Sequence, residues 1–336
     1  MSRTSREWRL VARPNGVPAH SDFELAEVEV GDPEDGQILV RNAFISVDPY
    51  MRGRMSDRRS YVSPYRLGEP MLGGAVGRVA ASRLEGFAED DWVVHGRGWR
   101  EWALSDGRGV TKVDPLLAPL SAYLGALGMP GFTAWVGIHD IGELREGDVV
   151  FVSAAAGAVG SAAGQMARIR GARAIGSAGT AEKVAWLPEL GFDGAFDYRG
   201  TPTREALREL APDGIDVYFD NVGGETLEAA LGALREHGRV VACGSISRYN
   251  DTEAQPGPRN LQYVVTKRLR IQGFIVGDHS DRLPAFVADA VTWVRDGRLR
   301  WRETVVDGIE QAPEAFRGLL QGENVGKMLV RVGPDS

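Results

Sequence analysis

Three small residues, Ala155, Gly157 and Gly160, have the spacing that phosphate-binding turns use. They follow a continuous apolar run over residues 149–152, which predicts a buried strand, and they precede a segment of helical length that ends near Gly171. The N-terminus of a helix offers free N–H groups and a partial positive charge, which suit the pyrophosphate of a dinucleotide. Such a pattern is weak by itself in a chain with 43 glycines. Its position between a strand and a helix makes it specific, and it predicts a dinucleotide site.

The end of the next strand indicates which dinucleotide binds. In this kind of unit, an acidic residue about 20 positions after the motif accepts hydrogen bonds from the ribose hydroxyls of NAD. Residues 176–180 read GSAGT without a carboxylate, and Lys183 follows within one helical turn of Thr180. The hydroxyl, the loop N–H groups and the lysine favour a 2′-phosphate, so the pattern predicts NADP(H). The alternative interpretation is that Thr180 caps a helix over residues 181–190 and that Lys183 is a solvated surface residue.

The residue types do not predict a catalytic metal centre. Zinc needs about three Cys, His or carboxylate ligands that converge on one site. The chain has one cysteine, Cys243, in an apolar run that indicates a buried strand thiol rather than a nucleophile. The five histidines share no short ligand spacing; they are His20, His95, His139, His237 and His279. We therefore expect chemistry that works without a metal.

Composition and charge argue against several classes of protein. With 336 residues, two domains are the default expectation. A net charge of −7 without a basic run argues against a nucleic-acid partner. No segment approaches the roughly 20 apolar residues of a membrane span, and the N-terminus lacks the apolar core of a signal peptide. The single cysteine excludes an internal disulfide and indicates a reducing, cytoplasmic location.

The pattern of secondary structure changes twice along the chain. Residues 1–125 read as short strands separated by Gly and Pro, and the tail from about residue 298 returns to short strands around a helix. Residues 126–297 alternate strands with helices, which predicts an α/β fold with a doubly wound parallel sheet. The predicted strands cover residues 24–30, 37–47, 73–82, 91–94, 149–152, 172–177, 215–222, 239–245, 269–276, 304–306 and 326–332. One predicted helix ends near residue 171, and another begins at residue 201. The other predicted helices cover residues 181–190, 225–237, 283–295 and 313–320.

The predicted topology locates the candidate site. Ligands of open α/β sheets bind beyond the carboxyl ends of the strands. Asn221 ends an apolar strand and precedes two glycines, which would let a flat ring or a ribose approach the backbone closely. A plain turn before a helix is the alternative for this stretch. The segments at the carboxyl ends are residues 154–160, 177–183, 220–224, 244–250 and 275–278.

These residues resemble a known family. The matching stretches run in family order over nearly the whole chain: residues 45–52 (ISVDPYMR), 128–135 (GMPGFTAW), the turn at 155–160, 176–183 (GSAGTAEK), 218–224 (YFDNVGG), 243–250 (CGSISRYN) and 324–327 (NVGK). The chain is thereby similar to the zinc-independent medium-chain dehydrogenase/reductases, and most of all to the NADPH-dependent alkenal/one reductases, also called prostaglandin or curcumin reductases. The family usually has alanine where Ser245 stands, so the floor of the pocket is expected to be slightly more polar here.

The resemblance implies an architecture. A GroES-like β-barrel domain for the substrate would consist of residues 1–125 and 298–336. A Rossmann domain that binds NADP would cover residues 126–297 and be inserted between those two parts. Pairing across the edge strand at residues 269–276 would produce a homodimer.

The resemblance also implies roles for individual residues. Lys183 would contact the 2′-phosphate and Tyr198 would lie near the adenosine half of the cofactor. Asn221 and Asn324 would lie near the nicotinamide half. The full set of expected cofactor contacts is Ala155, Gly157, Ala158, Val159, Gly160, Ser177, Gly179, Lys183, Tyr198, Asn221, Gly244, Ser245, Phe274, Val276 and Asn324.

The expected reaction is reduction of a C=C bond conjugated to a carbonyl in a small enone or enal. Hydride addition to the β-carbon leaves an enolate, which one or two hydrogen-bond donors stabilise, whereas carbonyl reduction in medium-chain enzymes generally uses zinc as a Lewis acid. By family analogy Tyr263 would meet the enolate oxygen and Tyr50 would shape the pocket. Tyr249 lies in a loop over residues 245–260 that is expected to act as a flap. Packing with the hydroxyl in water is the alternative for any one of these tyrosines.

Other interpretations remain open at this stage. Arg52 would either hold a substrate carboxylate or be a surface arginine. A zinc-free NADPH:quinone reductase would share the fold, the cofactor and the missing metal. A non-catalytic NADPH-binding protein would keep the nucleotide-binding turn at residues 155–160 but would not catalyse a reaction.

Overall fold

The chain forms two compact units in a computed structural model that describes residues 2–335. The split unit combines Met1–Leu124 with Glu303–Ser336, and the central unit is the continuous segment Gly125–Arg302. Across residues 2–335, none of the helices combines the length and the apolar character that a membrane crossing requires.

The described residues contain strands in both units. They are β1 (Arg3–Leu10), β2 (Phe23–Val30), β3 (Ile38–Ser46), β4 (Ala75–Ser82), β5 (Trp92–His95), β6 (Trp102–Ser105), β7 (Thr111–Lys112), β8 (Val149–Val152), β9 (Arg173–Ala178), β10 (Gly194–Asp197), β11 (Ile215–Asp220), β12 (Leu234–Ala242), β13 (Arg270–Gly273), β14 (Glu303–Asp307) and β15 (Lys327–Arg331). The α-helices are α1 (Met51–Arg54), α2 (Met129–Val136), α3 (Ala158–Ile169), α4 (Ala181–Glu189), α5 (Thr203–Leu210), α6 (Gly224–Ala233), α7 (Gln262–Thr266), α8 (Leu283–Arg295) and α9 (Ala312–Gln321).

The split unit is built on a seven-stranded sheet in the order β14-β15-β3-β4-β5-β7, with β6 also paired to β3. A separate antiparallel ladder joins β1 to β2. Trp8, Met51, Trp99 and Phe316 form part of one buried apolar cluster. That cluster draws residues from both ends of the chain, so the two segments of the split unit share a single core.

The central unit is a six-stranded sheet in the order β10-β9-β8-β11-β12-β13, and every pairing in it is parallel. Numbered from β8, this is the 3-2-1-4-5-6 order of doubly wound sheets. The prediction of a doubly wound parallel sheet is confirmed. The connections reverse direction between β8 and β11, and ligands bind at such a crevice beyond the carboxyl ends. All four residues of β8 are buried, as expected for a strand covered on both faces.

One predicted helix is shorter than expected. The sequence pattern predicted a helix over residues 225–237, whereas α6 ends at Ala233 and β12 already begins at Leu234. Leu234 pairs with Ile215 across the sheet, and both side chains are buried in the core. His237 has a left-handed φ of 62° within β12. The core contact of Leu234 therefore overrides the helical periodicity of the last turn.

Candidate functional site

The turn between β8 and α3 presents backbone N–H groups at the crevice of the sheet. Ala154 adopts a left-handed conformation with φ of 49°. Ala155 N–H donates to the Ser177 carbonyl over 2.9 Å, and Gly157 N–H donates to the Ala154 carbonyl over 2.9 Å. α3 then begins at Ala158 without a side-chain cap. The N–H groups of its first turn are therefore available to an anion bound beyond the strand.

Gly160 brings the helix against this turn. A Cβ on Gly160 would lie 2.3 Å from the Ala154 carbonyl oxygen, so any side chain there would push α3 away from β8. Gly157, Ala158 and Val159 are partly exposed, which leaves their backbone accessible to a ligand. The geometry of this turn matches what pyrophosphate binding requires. Ala155 stands where such turns usually have their first glycine, and it does not disturb the turn.

Lys183 lies at the start of α4, close to the end of β9. Thr180 caps α4, because its Oγ1 accepts a hydrogen bond from the Lys183 N–H over 3.3 Å. The capping role of Thr180 is thus present, as one interpretation expected. The Lys183 side chain is only 8% exposed, however, so it is not a solvated surface residue. A partly desolvated lysine interacts more strongly with a phosphate than an exposed one does.

Tyr198 covers the turn that follows β9. Its N–H donates to the Ala178 carbonyl over 3.1 Å. Its hydroxyl lies 2.9 Å from the point where a Cβ on Gly179 would stand, so only glycine allows the ring so close to the backbone. Ser177 is buried and holds the phosphate-binding turn through its carbonyl. The Tyr198 ring is 46% exposed, and a flat group could stack on its open side.

Ser153, the residue after β8, holds Asn221. The Asn221 N–H donates to Ser153 Oγ over 3.0 Å, and Asn221 Nδ2 donates to the Ser153 carbonyl over 2.8 Å. With Nδ2 engaged in this way, Oδ1 is the acceptor that the side chain can offer to a ligand. Asn221 is therefore oriented at the crevice between β8 and β11 before any ligand binds.

A buried polar group beneath Asn221 was not singled out from the sequence. Asp220 Oδ1 accepts hydrogen bonds from the Tyr218 hydroxyl (2.7 Å), the Val222 N–H (2.9 Å) and the Gly223 N–H (2.7 Å). Burial raises the pKa of Asp220, and burial beside that carboxylate raises the pKa of Tyr218 well above its usual value. Asp220 organises the turn after β11. In the sequence, the signal for this role is an aspartate directly before Asn-Val-Gly-Gly at the end of a predicted strand.

Tyr249 lies beyond the end of β12, next to Asn221. Ile246 N–H donates to the Asn221 carbonyl over 3.2 Å, which ties the first turn of the following loop to the crevice. The Tyr249 hydroxyl accepts a hydrogen bond from the Ser245 N–H over 3.4 Å and lies against Gly244. The hydroxyl is therefore at the same edge of the sheet as the nucleotide turn.

Tyr263, which the family analogy placed at the enolate oxygen, lies away from Asn221 and Tyr249. Its ring lies against Gly232, near the end of α6, and packs on the core of the central unit. Lys267 Nζ lies 4.8 Å from the ring centroid and donates to the carbonyls of Gly232 and Leu234, at 2.7 Å each. Because α6 ends where β12 begins, these atoms lie at the amino edge of the sheet. The structure does not bring Tyr263 to the edge where Asn221 lies.

Phe274 and Val276 follow the edge strand β13 at its carboxyl end. Phe274 meets His279 edge-on, with ring centroids 6.1 Å apart. Arg282 closes this segment by donating to both carboxylate oxygens of Asp140, over 3.0 and 3.1 Å. The segment is thereby tethered to the chain that follows α2.

Two predicted site residues belong to the split unit. Tyr50 comes immediately before α1, where burial and the charge of Asp48 raise its pKa. Its phenol is protonated at neutral pH and can donate a hydrogen bond. Asn324 is buried, and its Nδ2 donates to the Gly326 carbonyl over 2.6 Å.

Arg52 is a buried residue rather than a surface arginine. Its side chain is buried. Nη2 donates to the Gly16 carbonyl over 2.8 Å and Nε donates to the same carbonyl over 3.2 Å. The surface interpretation is therefore wrong, and Arg52 contacts the loop before β2.

The side chains that could ligate a metal are dispersed. Within residues 2–335, no three His, Cys, Asp or Glu side chains come close enough to hold a metal ion together. Burial raises the pKa of the Cys243 thiol to about 12, so a thiolate is absent at neutral pH. The donor set of the described residues does not fit a catalytic zinc site.

Two family models match the chain. The model described as the N-terminal domain of oxidoreductase matches residues 6–113, and the model described as zinc-binding dehydrogenase matches residues 158–293. Among curated proteins, the NADPH-dependent curcumin reductase of Escherichia coli is 42% identical over 98% of both chains. Prostaglandin reductase 1 of Rattus norvegicus is 40% identical over 97% of this chain and 99% of its own. The crystal structure of CurA from Vibrio vulnificus in complex with NADPH has a TM-score of 0.93 and 41% identity, over 98% of this chain and 99% of that one.

Proposed function

This chain belongs to the family of NADPH-dependent reductases that includes curcumin reductase and prostaglandin reductase 1, and from that premise we propose that it reduces the C=C bond of α,β-unsaturated ketones and aldehydes. It is an NADP-dependent oxidoreductase with a Rossmann sheet and a GroES-like domain. The observation that carries the proposed reaction is the crevice at β8 and β11, where an uncapped helix start, Asn221 and the Tyr249 hydroxyl share one edge of the sheet.

The cofactor is NADP(H), and the residues at the crevice fit it. The pyrophosphate would lie on the N–H groups of the first turn of α3, from Ala158 to Gly160, where Gly160 permits a close approach. Lys183 would pair with the 2′-phosphate and Tyr198 would stack near the adenosine. When bound, NADPH supplies a hydride from C4 of its nicotinamide. Asn221 Oδ1 would orient the nicotinamide half by accepting a hydrogen bond.

The absence of suitable zinc ligands bears on which bond is reduced. One matching family model is named for zinc, but the donors in residues 2–335 do not fit the metal. Reduction of a carbonyl would place charge on one oxygen without a Lewis acid. Reduction of the conjugated C=C bond delocalises the charge into an enolate, for which hydrogen-bond donors suffice.

We assign the donor role to Tyr249. The hydride adds to the β-carbon, the C=C π electrons shift to form the enolate, and the Tyr249 hydroxyl donates a hydrogen bond to the enolate oxygen. The α-carbon then takes a proton from water, which completes a saturated ketone or aldehyde. Support comes from the position of the hydroxyl over Gly244 and Ser245, at the carboxyl edge of the sheet. Tyr50, whose phenol stays protonated at neutral pH, would line the substrate pocket.

The assembly and location are part of the proposal. β13 forms one edge of the six-stranded sheet, and Ile271 on it is 41% exposed. An exposed edge strand without proline pairs readily with another strand, which supports a homodimer. The single cysteine, which cannot form an internal disulfide, supports a reducing cytoplasmic location.

Isotope transfer tests the proposed reaction. With NADPH deuterated at the transferred C4 position, the enzyme should place the label on the β-carbon of a saturated ketone and leave the carbonyl intact. Product analysis by NMR distinguishes the two positions directly. Deuterium on a carbinol carbon would show that the carbonyl is the acceptor and would refute the proposal.

A further inference from the structure

A row of two tryptophans and two arginines crosses the sheet of the split unit. Trp102 on β6 lies opposite Arg41 on β3, Arg41 lies opposite Arg78 on β4, and Arg78 lies opposite Trp92 on β5. Directly opposed residues on neighbouring strands project to the same face, with Cβ atoms roughly 4.5–5.5 Å apart. The four side chains therefore form one indole–guanidinium–guanidinium–indole row, which we call the Trp–Arg row.

The charges in the Trp–Arg row are not balanced. Like charges on directly opposed positions repel each other. Arg78 pairs with Asp90, with Nη2 2.9 Å from Oδ1, and the Asp90 side chain is itself 72% exposed. Among residues 2–335, no carboxylate forms an ion pair with Arg41. The row thus holds one excess positive charge on a chain whose net charge is −7.

Trp102 holds the unpaired guanidinium in place. The Cζ atom of Arg41 lies 5.4 Å from the centroid of the Trp102 ring. Arg3 Cζ lies 5.5 Å from the same centroid, but Arg3 pairs with Asp32 over 2.7 Å. Contact with the ring restricts the motion of Arg41, which lowers the entropic cost of binding an anion there.

The Trp–Arg row lines an open-sided cavity of about 210 Å³, in which Arg41 and Arg78 are exposed. Val79, Ala80 and Pro334 complete its wall beside the row and Asp90. Ligand pockets for drug-sized molecules hold roughly 300–1,000 Å³, so this cavity suits a smaller molecule. Its wall combines two guanidinium groups with the edges or faces of two indoles.

We propose that this cavity is a second binding site, for a small aromatic carboxylate. The planar guanidinium forks of Arg41 and Arg78 match the two oxygens of a carboxylate, which would neutralise the excess charge. The indoles of Trp92 and Trp102 would cover the ring of the ligand. The site uses no residue assigned to NADP(H) binding or to the reduction, and it stands independently of the proposed reductase activity.

Titration of the full-length enzyme with 4-fluorobenzoate, followed by ¹⁹F NMR in the presence of saturating NADP⁺, tests this site. The expected dissociation constant is about 1 mM or lower, as for a good ligand of this size. The uncharged 4-fluorobenzyl alcohol should bind at least ten-fold more weakly, and displacement by acetate, which lacks a ring, should need at least a ten-fold higher concentration. No saturation up to about 10 mM, or equal binding of the alcohol, would overturn the proposal.

Variants locate the bound probe. Arg41→Gln should weaken binding of 4-fluorobenzoate at least ten-fold, while Arg108→Gln, whose side chain is 93% exposed and lies outside the cavity, should leave it unchanged. Arg78→Gln serves as a second variant if Arg41→Gln lowers the melting temperature. Turnover of an enone with NADPH should be unaffected by Arg41→Gln, so failure of this site and failure of the proposed reaction are distinguishable. Unchanged binding in both cavity variants would show that the probe binds elsewhere and that the cavity is not the site.

Discussion

Lys327 Nζ lies 3.1 Å from Asp48 Oδ1, and the two side chains are only 4% and 7% exposed. The ammonium also donates to the carbonyls of Val47 and Met328, over 2.8 and 2.9 Å. Ser46 Oγ donates a further hydrogen bond to the Asp48 carboxylate. The pair fastens the start of β15 to the turn after β3, and that turn carries Tyr50.

Removing one member of this pair should be costly. Lys327→Met leaves the Asp48 carboxylate buried and uncompensated, which should lower the free energy of unfolding by about 3–5 kcal/mol. The double variant Lys327→Met/Asp48→Asn removes both charges and should recover most of that loss. Urea unfolding of the wild type, both single variants and the double variant measures the coupling. Additive losses in the double variant would show that the two residues do not act as a pair.

His95 should make the protein sensitive to acid. Burial lowers its pKa to about 3, and the neutral ring is held by Asn42 Oδ1 at 2.9 Å and by the Arg97 N–H at 3.1 Å. The unfolded chain binds this proton near pH 6.5, so the folded state loses stability as the pH falls from about 6.5 towards 3. The loss should be about 1.4 kcal/mol per pH unit from this residue.

Unfolding measured at several pH values checks this dependence. His95→Gln cannot take up the proton, so its stability should fall less steeply than that of the wild type between about pH 6 and pH 4.5. The difference between the two slopes isolates His95 from other titrating groups. Parallel slopes would mean that His95 does not titrate differently in the two states.

Lys183 should select NADPH over NADH. Because a charge-assisted contact to phosphate contributes roughly 1.5–3 kcal/mol, Lys183→Ala should raise the KM for NADPH about ten-fold or more. The KM for NADH should change little, since NADH has no 2′-phosphate. Steady-state kinetics with both cofactors measures the effect. Equal losses for both would indicate that the partly buried side chain acts through folding instead.

Tyr249 and Tyr263 form a matched pair for the donor assignment. Tyr249→Phe should lower kcat by about 10- to 1000-fold, in line with the loss of one oxyanion donor, with little change in NADPH affinity. Tyr263→Phe should leave kcat nearly unchanged, because that ring packs beside Gly232 at the opposite edge of the sheet. Initial rates at saturating enone separate the two. The reverse order of effects would restore Tyr263 as the donor.

The edge strand β13 should mediate a homodimer. Light scattering at micromolar concentration should report a mass of about 73 kDa, twice the 36.4 kDa of one chain. Ile271→Lys introduces a charge at the exposed edge and should shift the mass towards the monomer. A wild-type mass near that of one chain would exclude the dimer.

Local patterns in the sequence predicted the nucleotide-binding half well. The buried strand at residues 149–152, the small residues of the turn and the following helix are neighbours in the chain, so their hydrogen bonds and periodicity can be read directly from the sequence. The alternation of strands and helices predicted the parallel sheet for the same reason. β1 was missed because its sequence, RTSREWRL, is mostly polar and its pairing with β2 is what makes it a strand.

Contacts between distant residues could be decided only by the tertiary structure. Tyr249 and Tyr263 are 14 positions apart and chemically alike, but the packing of α7 against α6 puts their rings at opposite edges of the sheet. Asn221 donates a hydrogen bond to Ser153, and Asp48 forms an ion pair with Lys327. Both contacts join segments that are far apart in the chain. No local periodicity encodes such contacts, because they depend on which strands become neighbours. The sequence alone therefore determined the fold class, the cofactor and the reaction class, whereas the tertiary structure decided which side chains meet at the crevice.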